Sequence, residues 1–581
     1  DVFIDRLMAQ WFLTDYLHLK GQIAITKEFT KKERFIDPLS SNTTAKAQKE
    51  AELEGDLYLT KGESTNWDAQ IGAYVSKSFG AHALNASVVV NATSRKSEST
   101  SSHYRGFPSG EYHSPNYAAE IKDKPSKSQS ASRLAGFLLL ANYTWNDIYL
   151  ADVSVRFDGS SEFGLDQKWA PFWSFGAGVN LHNYAFLNGS KVINRMKFRA
   201  SYGQTGKVNF PSYSARTVYR TFDRWYIAGF GVGLKALGNR DLKWETTNKL
   251  NVGTDMEFWN SRISLVFDYY YNKTVDLITD VTLPGSAGFS SYKSNLGETL
   301  NKGFDIQFRF DVMKNKDWNV ALWGNLNHNR NEILKISDAL KAYNSQVEDY
   351  YGLAEESQTP TLSWTQAGKT YSDFIKPIMK YEEGASLTAI YGVRSLGIDP
   401  SNGKELYLYR NGQASHKWKA TEEVVLGDSE PKASGSFGLN ATYKNFSLFA
   451  SFGYEWGKQT YNETLIMNVE NADIQGSNVD KRVLTQRWEK PGDIAPLKDI
   501  KDMNSVTLPT SRFVQDENVL SLDALTLSYD FDPLWLRKIF LKTLRLEVST
   551  NELFRLSSIK QERGTSYPFA RTVNFSLRAT F

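Results

Sequence analysis

A two-residue alternation of apolar and polar side chains, repeated from end to end, limits this chain most. Val573, Phe575, Leu577, Ala579 and Phe581 share one face; Asn574, Ser576, Arg578 and Thr580 share the other. Ala151, Val153, Val155 and Phe157 alternate in the same way with Asp152, Ser154, Arg156 and Asp158. So do Phe304, Ile306, Phe308 and Phe310 with their charged neighbours, and Ile263, Leu265, Phe267, Tyr269 and Tyr271 with theirs. Met196–Tyr202 and Leu544–Ser549 repeat the pattern. A period of two is that of a β-strand with one face in an apolar phase. The pattern predicts about 20 strands of about 9–14 residues each.

Helical periodicity is scarce. Residues 43–54 and 333–342 are expected to form short helices inside loops. Connections fall into two kinds. Trp145–Asp147, Trp259–Ser261 and Lys314–Asp317 read as tight turns. Residues 30–55, 94–132, 205–242, 335–384 and 458–520 read as long loops. Compact soluble domains rarely carry several such loops. Membrane β-barrels carry them on one side, with short turns on the other.

Alternation alone leaves open which apolar phase the strands meet. In soluble sandwiches it is the core between two sheets. In a membrane barrel it is lipid, and the polar face lines a wet lumen. The barrel accounts for more. About 9–11 tilted residues cross a bilayer. Aromatics crowd the strand ends, as interfacial girdles require: Tyr143 and Trp145, Trp169 and Trp173, Phe258 and Trp259, Trp318 and Trp323. At 581 residues the chain exceeds the ~250–300 that one soluble core supports, whereas a barrel grows by adding strands.

Composition excludes other classes. There is no cysteine, hence no disulfide scaffold, thiolate metal site or cysteine nucleophile. The 41% apolar content argues against disorder. The longest apolar run, Leu134–Ala141, is far short of the ~20 residues of a spanning helix. Lys plus Arg (68) nearly balances Asp plus Glu (65), so no nucleic-acid partner is expected. The N-terminus shows no signal peptide. That suits a mature chain, a cytosolic one, or a piece that begins inside a fold, and strand-like residues from Gln10 onward favour the last.

An ordered series of blocks resembles the SusC/RagA group of TonB-dependent outer-membrane transporters. They are Arg156–Gly164 (RFDGSSEFG), Trp169–Ser174, Met196–Gly206 (MKFRASYGQTG), Asn239–Thr247 (NRDLKWETT), Asp268–Ile278, Asn295–Phe304, Gly427–Lys432, Arg487–Asp493, Leu525–Tyr529 and the terminal Phe581. Their residues also read as framework: Gly159, Gly203, Gly206, Gly297 and Gly303 at strand ends, Asp158, Ser160 and Ser161 bonding turn amides, and Trp244 at an interface or packed in a loop.

The resemblance implies an all-β transmembrane antiparallel β-barrel, with about 20 of an expected 22 or so strands present and long extracellular loops. Residues 1–581 are then the C-terminal part of the barrel. The family's N-terminal extension, TonB box and plug are not recognisable in the chain. The implied function is TonB-dependent import of a nutrient, oligosaccharide or else peptide, across the Gram-negative outer membrane. The implied partners are a SusD-like surface lipoprotein, TonB–ExbB–ExbD acting through the plug, outer-membrane lipid, and a second SusC–SusD pair in a dimer. No enzyme activity and no cofactor are implied.

Loop aromatics offer stacking surfaces for sugars or holds for peptide side chains: Tyr104, Tyr112, Trp225, Tyr226, Tyr350, Tyr351 and Trp364. The alternative is that they pack the loops or meet the lid. His103 and His113 share one expected loop, but the seven histidines form no metal-ligand motif, and no metal is expected. Hydrolase elbows and phosphate-binding loops are absent too. Two rivals remain: a structural or adhesive surface barrel, with no plug or TonB box in the full gene, and a soluble multi-sandwich carbohydrate-binding protein, stable without detergent.

Overall fold

The computed structural model describes the chain apart from residues 41–53, 165–166, 208–214, 227–228, 237, 240, 283–290, 296, 357–364, 367–368, 473, 475–478, 503–505 and 561–570. The helix expected at 43–54 lies almost wholly outside the described residues. Among the described residues, eighteen strands lie in long antiparallel ladders.

The chain divides into two compact units. The first comprises Asp1–Ala177, Gly203–Thr246 and Ile278–Asn295. It contains β1 (Val2–Thr14), β2 (Leu17–Ile36), β3 (Asp56–Phe79), β4 (His82–Arg105), β5 (Glu120–Trp145) and β6 (Tyr149–Ser160). Each pairs antiparallel with the next. The second unit comprises Gly178–Tyr202, Thr247–Leu277 and Leu296–Phe581. Its ladder runs in chain order through Ile263–Val275, Glu298–Lys314, Trp318–Lys335, Ala433–Tyr443, Phe446–Tyr461, Val514–Asp530, Thr543–Asn551 and Thr572–Thr580.

The tight turns fall where their sequences predict them. Asn146 and Asp147 take φ of 55° and 56°, and Trp259, Asn260 and Ser261 take 53°, 57° and 57°. Left-handed backbone of this kind suits a right-twisted hairpin and, after glycine, is least costly for Asn and Asp. Asn315 Oδ1 accepts the Trp318 amide at 2.8 Å and closes a third turn.

Strand length departs from expectation. β3 and β4 have 24 residues each and β5 has 26. The expected loop 94–132 is therefore mostly strand, and its connection shrinks to residues 106–119. The upper part of β4 reads Ser94–Arg105, rich in Ser and interspersed with charged residues. Both of its faces are polar, so it carries no alternation signal although its backbone stays paired with β3 and β5. The helix expected at 333–342 is likewise displaced: strand continues through Lys335, and a helix spans Asp338–Glu356.

The apolar faces of the strands are uncovered by protein. Ile71, Val88, Val90, Phe137, Leu139, Val153, Val155 and Phe157 are all exposed. The clusters of buried residues draw largely on the connections. In the first unit Phe163, Phe172, Ala215, Leu242, Trp244 and Ile278 form one such cluster. Trp244 stacks on Phe163 at 4.4 Å, and its indole nitrogen donates to the Lys168 carbonyl at 3.4 Å. Four blocks of the family resemblance thus meet around one loop tryptophan. Of the five glycines expected at turns or bulges, Gly297 has a positive φ, of 97°. Gly159, Gly203, Gly206 and Gly303 lie inside strands, where neighbours approach too closely for a side chain.

Candidate functional site

The second unit carries a polar face of unusual composition. Strand Trp318–Lys335 reads Asn325, Asn327, Asn329 and Asn331 at every second residue, so all four amides share a face. Trp318 and Leu322 point to the other side and are exposed. Asn327 donates to Asp305 Oδ1 at 2.5 Å. Asn331 donates to Asn301 Oδ1 at 2.7 Å and accepts the Leu387 amide at 2.9 Å. Asn329 donates to Glu430 Oε1 at 2.5 Å and accepts the Tyr270 hydroxyl at 3.1 Å. Side chains bonded on several sides are held in one geometry, as a binding wall requires.

Two insertions rise from this ladder, residues 336–432 and 462–513. Tyr351, Phe374, Val393, Tyr407, Tyr409 and Trp418 form their largest apolar core. Charges are buried there as well. Arg512 donates to Glu405 Oε2 at 2.8 Å and Glu470 Oε1 at 2.6 Å, while Thr510 donates to Glu405 Oε1 at 2.7 Å. Burial pushes the Glu405 carboxyl up, but the Arg512 guanidinium beside it wins and holds it below the usual range. Nearby, Lys380 pairs with Glu348 at 2.7 Å and approaches Glu423 at 3.7 Å. Burial pushes the Glu423 carboxyl up to about 7, a rise that Lys380 limits.

Where the ladder meets the insertions, two cavities of about 610 and 580 Å³ share Arg330, Asn331, Asp428 and Gln459 as lining. Glu383 lines the first, and Trp456, largely exposed, lines the second. Volumes of this size suit a small ligand. Amide, carboxylate and guanidinium groups beside an open indole can bind by hydrogen bonding and stacking. No group of three or more metal-ligating side chains occurs among the described residues.

The aromatics singled out in the sequence are not brought together. Tyr104 is half-buried in β4, opposite Leu57 and Ile121. Tyr112 is exposed, its ring 5.1 Å from that of Tyr117. Trp225 and Tyr226 end the strand Val218–Tyr226, and their side chains lie outside the described residues, as does Trp364. Tyr350 stacks on Phe374 at 4.7 Å. Tyr351 is fully buried, and its hydroxyl donates to the Lys376 carbonyl at 2.5 Å. It belongs to the packing of the insertions. His103 stands in β4 and not in a loop, 2.7 Å from Asp56 and 2.8 Å from Asp123. The asparagine series was visible as an every-second-residue pattern, but an aromatic search passes over it.

Uncovered apolar strand faces, with buried clusters drawn largely from the connections, are what a class of β-proteins with lipid as apolar solvent requires. Residues 14–472 match the family described as TonB dependent receptor-like, beta-barrel, and the chain belongs to that family. TonB-dependent receptor P3 of Formosa agariphila is 28% identical over 564 residues, which cover 95% of this chain and 53% of that protein. TonB-dependent receptor SusC of Bacteroides thetaiotaomicron is 25% identical, over 74% of this chain and 42% of its own. The fold matches a chain of the RagAB peptide transporter with a TM-score of 0.80 at 22% identity, covering 97% of this chain and 59% of that one. The chain spans about half the length of these curated relatives. The family consists of outer-membrane receptors and transporters, not enzymes, and the soluble-sandwich alternative falls with it.

Proposed function

We propose that this chain forms the barrel wall and extracellular loops of an importer that takes a nutrient ligand, oligosaccharide or peptide, across the outer membrane. The observation that carries this reading is the pair of polar cavities above the asparagine ladder, at the junction of loops and strands. A hydrogen-bonding wall facing water suits ligands rich in hydroxyl or amide groups. The apolar face would then be the lipid contact and the polar face the lumen. Residues 1–581 are the C-terminal part of the barrel in this reading. A plug and a TonB box outside this chain would gate it, with TonB–ExbB–ExbD as the energy source. A SusD-like lipoprotein would close over the loops, in keeping with the SusC likeness.

Uptake tests the reading. A strain lacking the gene, and one lacking TonB function, are offered labelled oligosaccharide and peptide mixtures. Both strains should fail to take up one of the two mixtures, and the intact gene should restore it. Arg330→Ala with Asp428→Ala should reduce uptake about tenfold at unchanged surface level. Uptake of both mixtures unaffected by gene loss would overturn transport and favour a structural or adhesive barrel.

A further inference from the structure

On the apolar face of the first unit, the strand registers line up three rows across β3, β4, β5 and β6. The lowest is Ile71, Val90, Phe137 and Phe157, all large. The next is Ala69, Ala92, Ala135 and Gly159, all small. Above it, Trp67, Ser94 and Arg133 face one another across β3, β4 and β5. A large row, a small row and a bulky row make a trough. A cavity of about 330 Å³ lies there, lined by Trp67, Ala92, Arg133, Ala135, Lys168 and Trp169. A side chain at Gly159 would strike the Trp169 indole, 2.6 Å from its Cβ, so glycine lets that ring close one end of the trough. Trp169 also stacks on Phe157, with ring centroids 6.2 Å apart.

The height of the trough matters. Its floor lies about ten residues above the tight turns that follow Phe79 and Trp145, which is one tilted bilayer crossing. It therefore sits at the far interface, where β6 ends and where Trp and long basic side chains snorkel. On this face Lys27 pairs with Glu63 at 2.8 Å and Lys127 with Glu98 at 3.4 Å. Arg133 and Lys168 have no acidic partner among the described residues, although both line the cavity.

We propose that this trough is a binding site for an anionic lipid of the outer leaflet. One acyl chain would lie along the small row over Phe137 and Phe157. The headgroup phosphate would sit between Arg133 and Lys168. Charge complementarity selects this occupant, because two cations without an acidic partner among the described residues, at the rim of an apolar groove, suit an anion attached to a chain. The inference rests on the reading that the apolar face meets lipid, and goes beyond it by assigning one lipid class to one place.

The test uses the intact protein in detergent and native mass spectrometry. The probes are a lipid A bearing one phosphate, the same lipid without phosphate, and inorganic phosphate. The phosphorylated lipid should bind at least tenfold more tightly than the dephosphorylated one. R133Q/K168Q should bring that preference below threefold, and Arg133→Lys should keep it. Ala135→Phe, which fills the trough without changing charge, should weaken both lipids about tenfold. No preference in the parent protein, or an undiminished one in R133Q/K168Q, overturns the site. So does displacement of the lipid by millimolar inorganic phosphate, which would make it a phosphate site. Membrane residence is read separately, from heat-modifiable migration and fractionation of each variant, so failure of the underlying reading is distinguishable.

Discussion

Glu423 and Arg512 show how differently two buried ionisable residues behave in the same insertions. Glu423 is fully buried, and both its carboxyl oxygens lack a hydrogen bond among the described residues. Its folded-state value of about 7 lies above its ordinary 4.5, so the folded protein holds the proton longer than the unfolded chain. The stability that this carboxyl contributes is therefore fully present below about 4.5, falls as pH rises from about 4.5 to 7, and is lost above 7. The loss is about 3–4 kcal/mol, because each tenfold difference in proton affinity between the folded and unfolded chain is worth ~1.4 kcal/mol. Hydrogen exchange of helix Asp338–Glu356 reads it: parent amides should open more readily at pH 8 than at pH 6 after correction for intrinsic rates, and Glu423→Gln should remove the difference. Arg512 has the opposite character. Two carboxylates hold its guanidinium, and Arg512→Met leaves Glu405 and Glu470 as buried unpaired charges. A cost of about 3–5 kcal/mol follows. Limited proteolysis should cut the insertions much faster in that variant, while E405Q/E470Q added to it should restore much of the resistance.

At the scale of elements, the turn at Asn146 and Asp147 joins β5 to β6 with both residues left-handed. Asn146→Val with Asp147→Val should cost about 1–2 kcal/mol per residue. The fraction refolding into liposomes, measured by heat-modifiable migration, should fall accordingly while the barrel that does form stays intact. Such turns were readable because Asn, Asp and Ser between two alternating runs have a single geometric meaning. Membrane-height strands were readable for the same kind of reason. The upper halves of β3, β4 and β5 were not, because serine- and threonine-rich strand wet on both faces has no period to detect. The asparagine face was half visible. Asn325, Asn327, Asn329 and Asn331 stand in plain alternation. Their partners Tyr270, Asn301, Asp305 and Glu430 come from other strands and a loop, and only the register places them opposite. The seven aromatics chosen as ligand contacts show the reverse: stacking potential is a property of the residue, but access is a property of packing, and Tyr351 has none.

For the whole molecule, large apolar side chains stand exposed along the strands, and the clusters of buried residues draw largely on the connections and insertions. Where a strand alternates, its two faces should meet two different solvents. Because the chain has no cysteine, single cysteines can be introduced and spin-labelled along β6 in the reconstituted protein. Val153, Val155 and Phe157 should be accessible to oxygen, which dissolves in lipid. Ser154, Arg156 and Asp158 should be accessible to a water-soluble nickel chelate instead. The two accessibilities should oscillate out of phase with a period of two residues. Accessibilities in phase, or nickel contact equal on both faces, would contradict it.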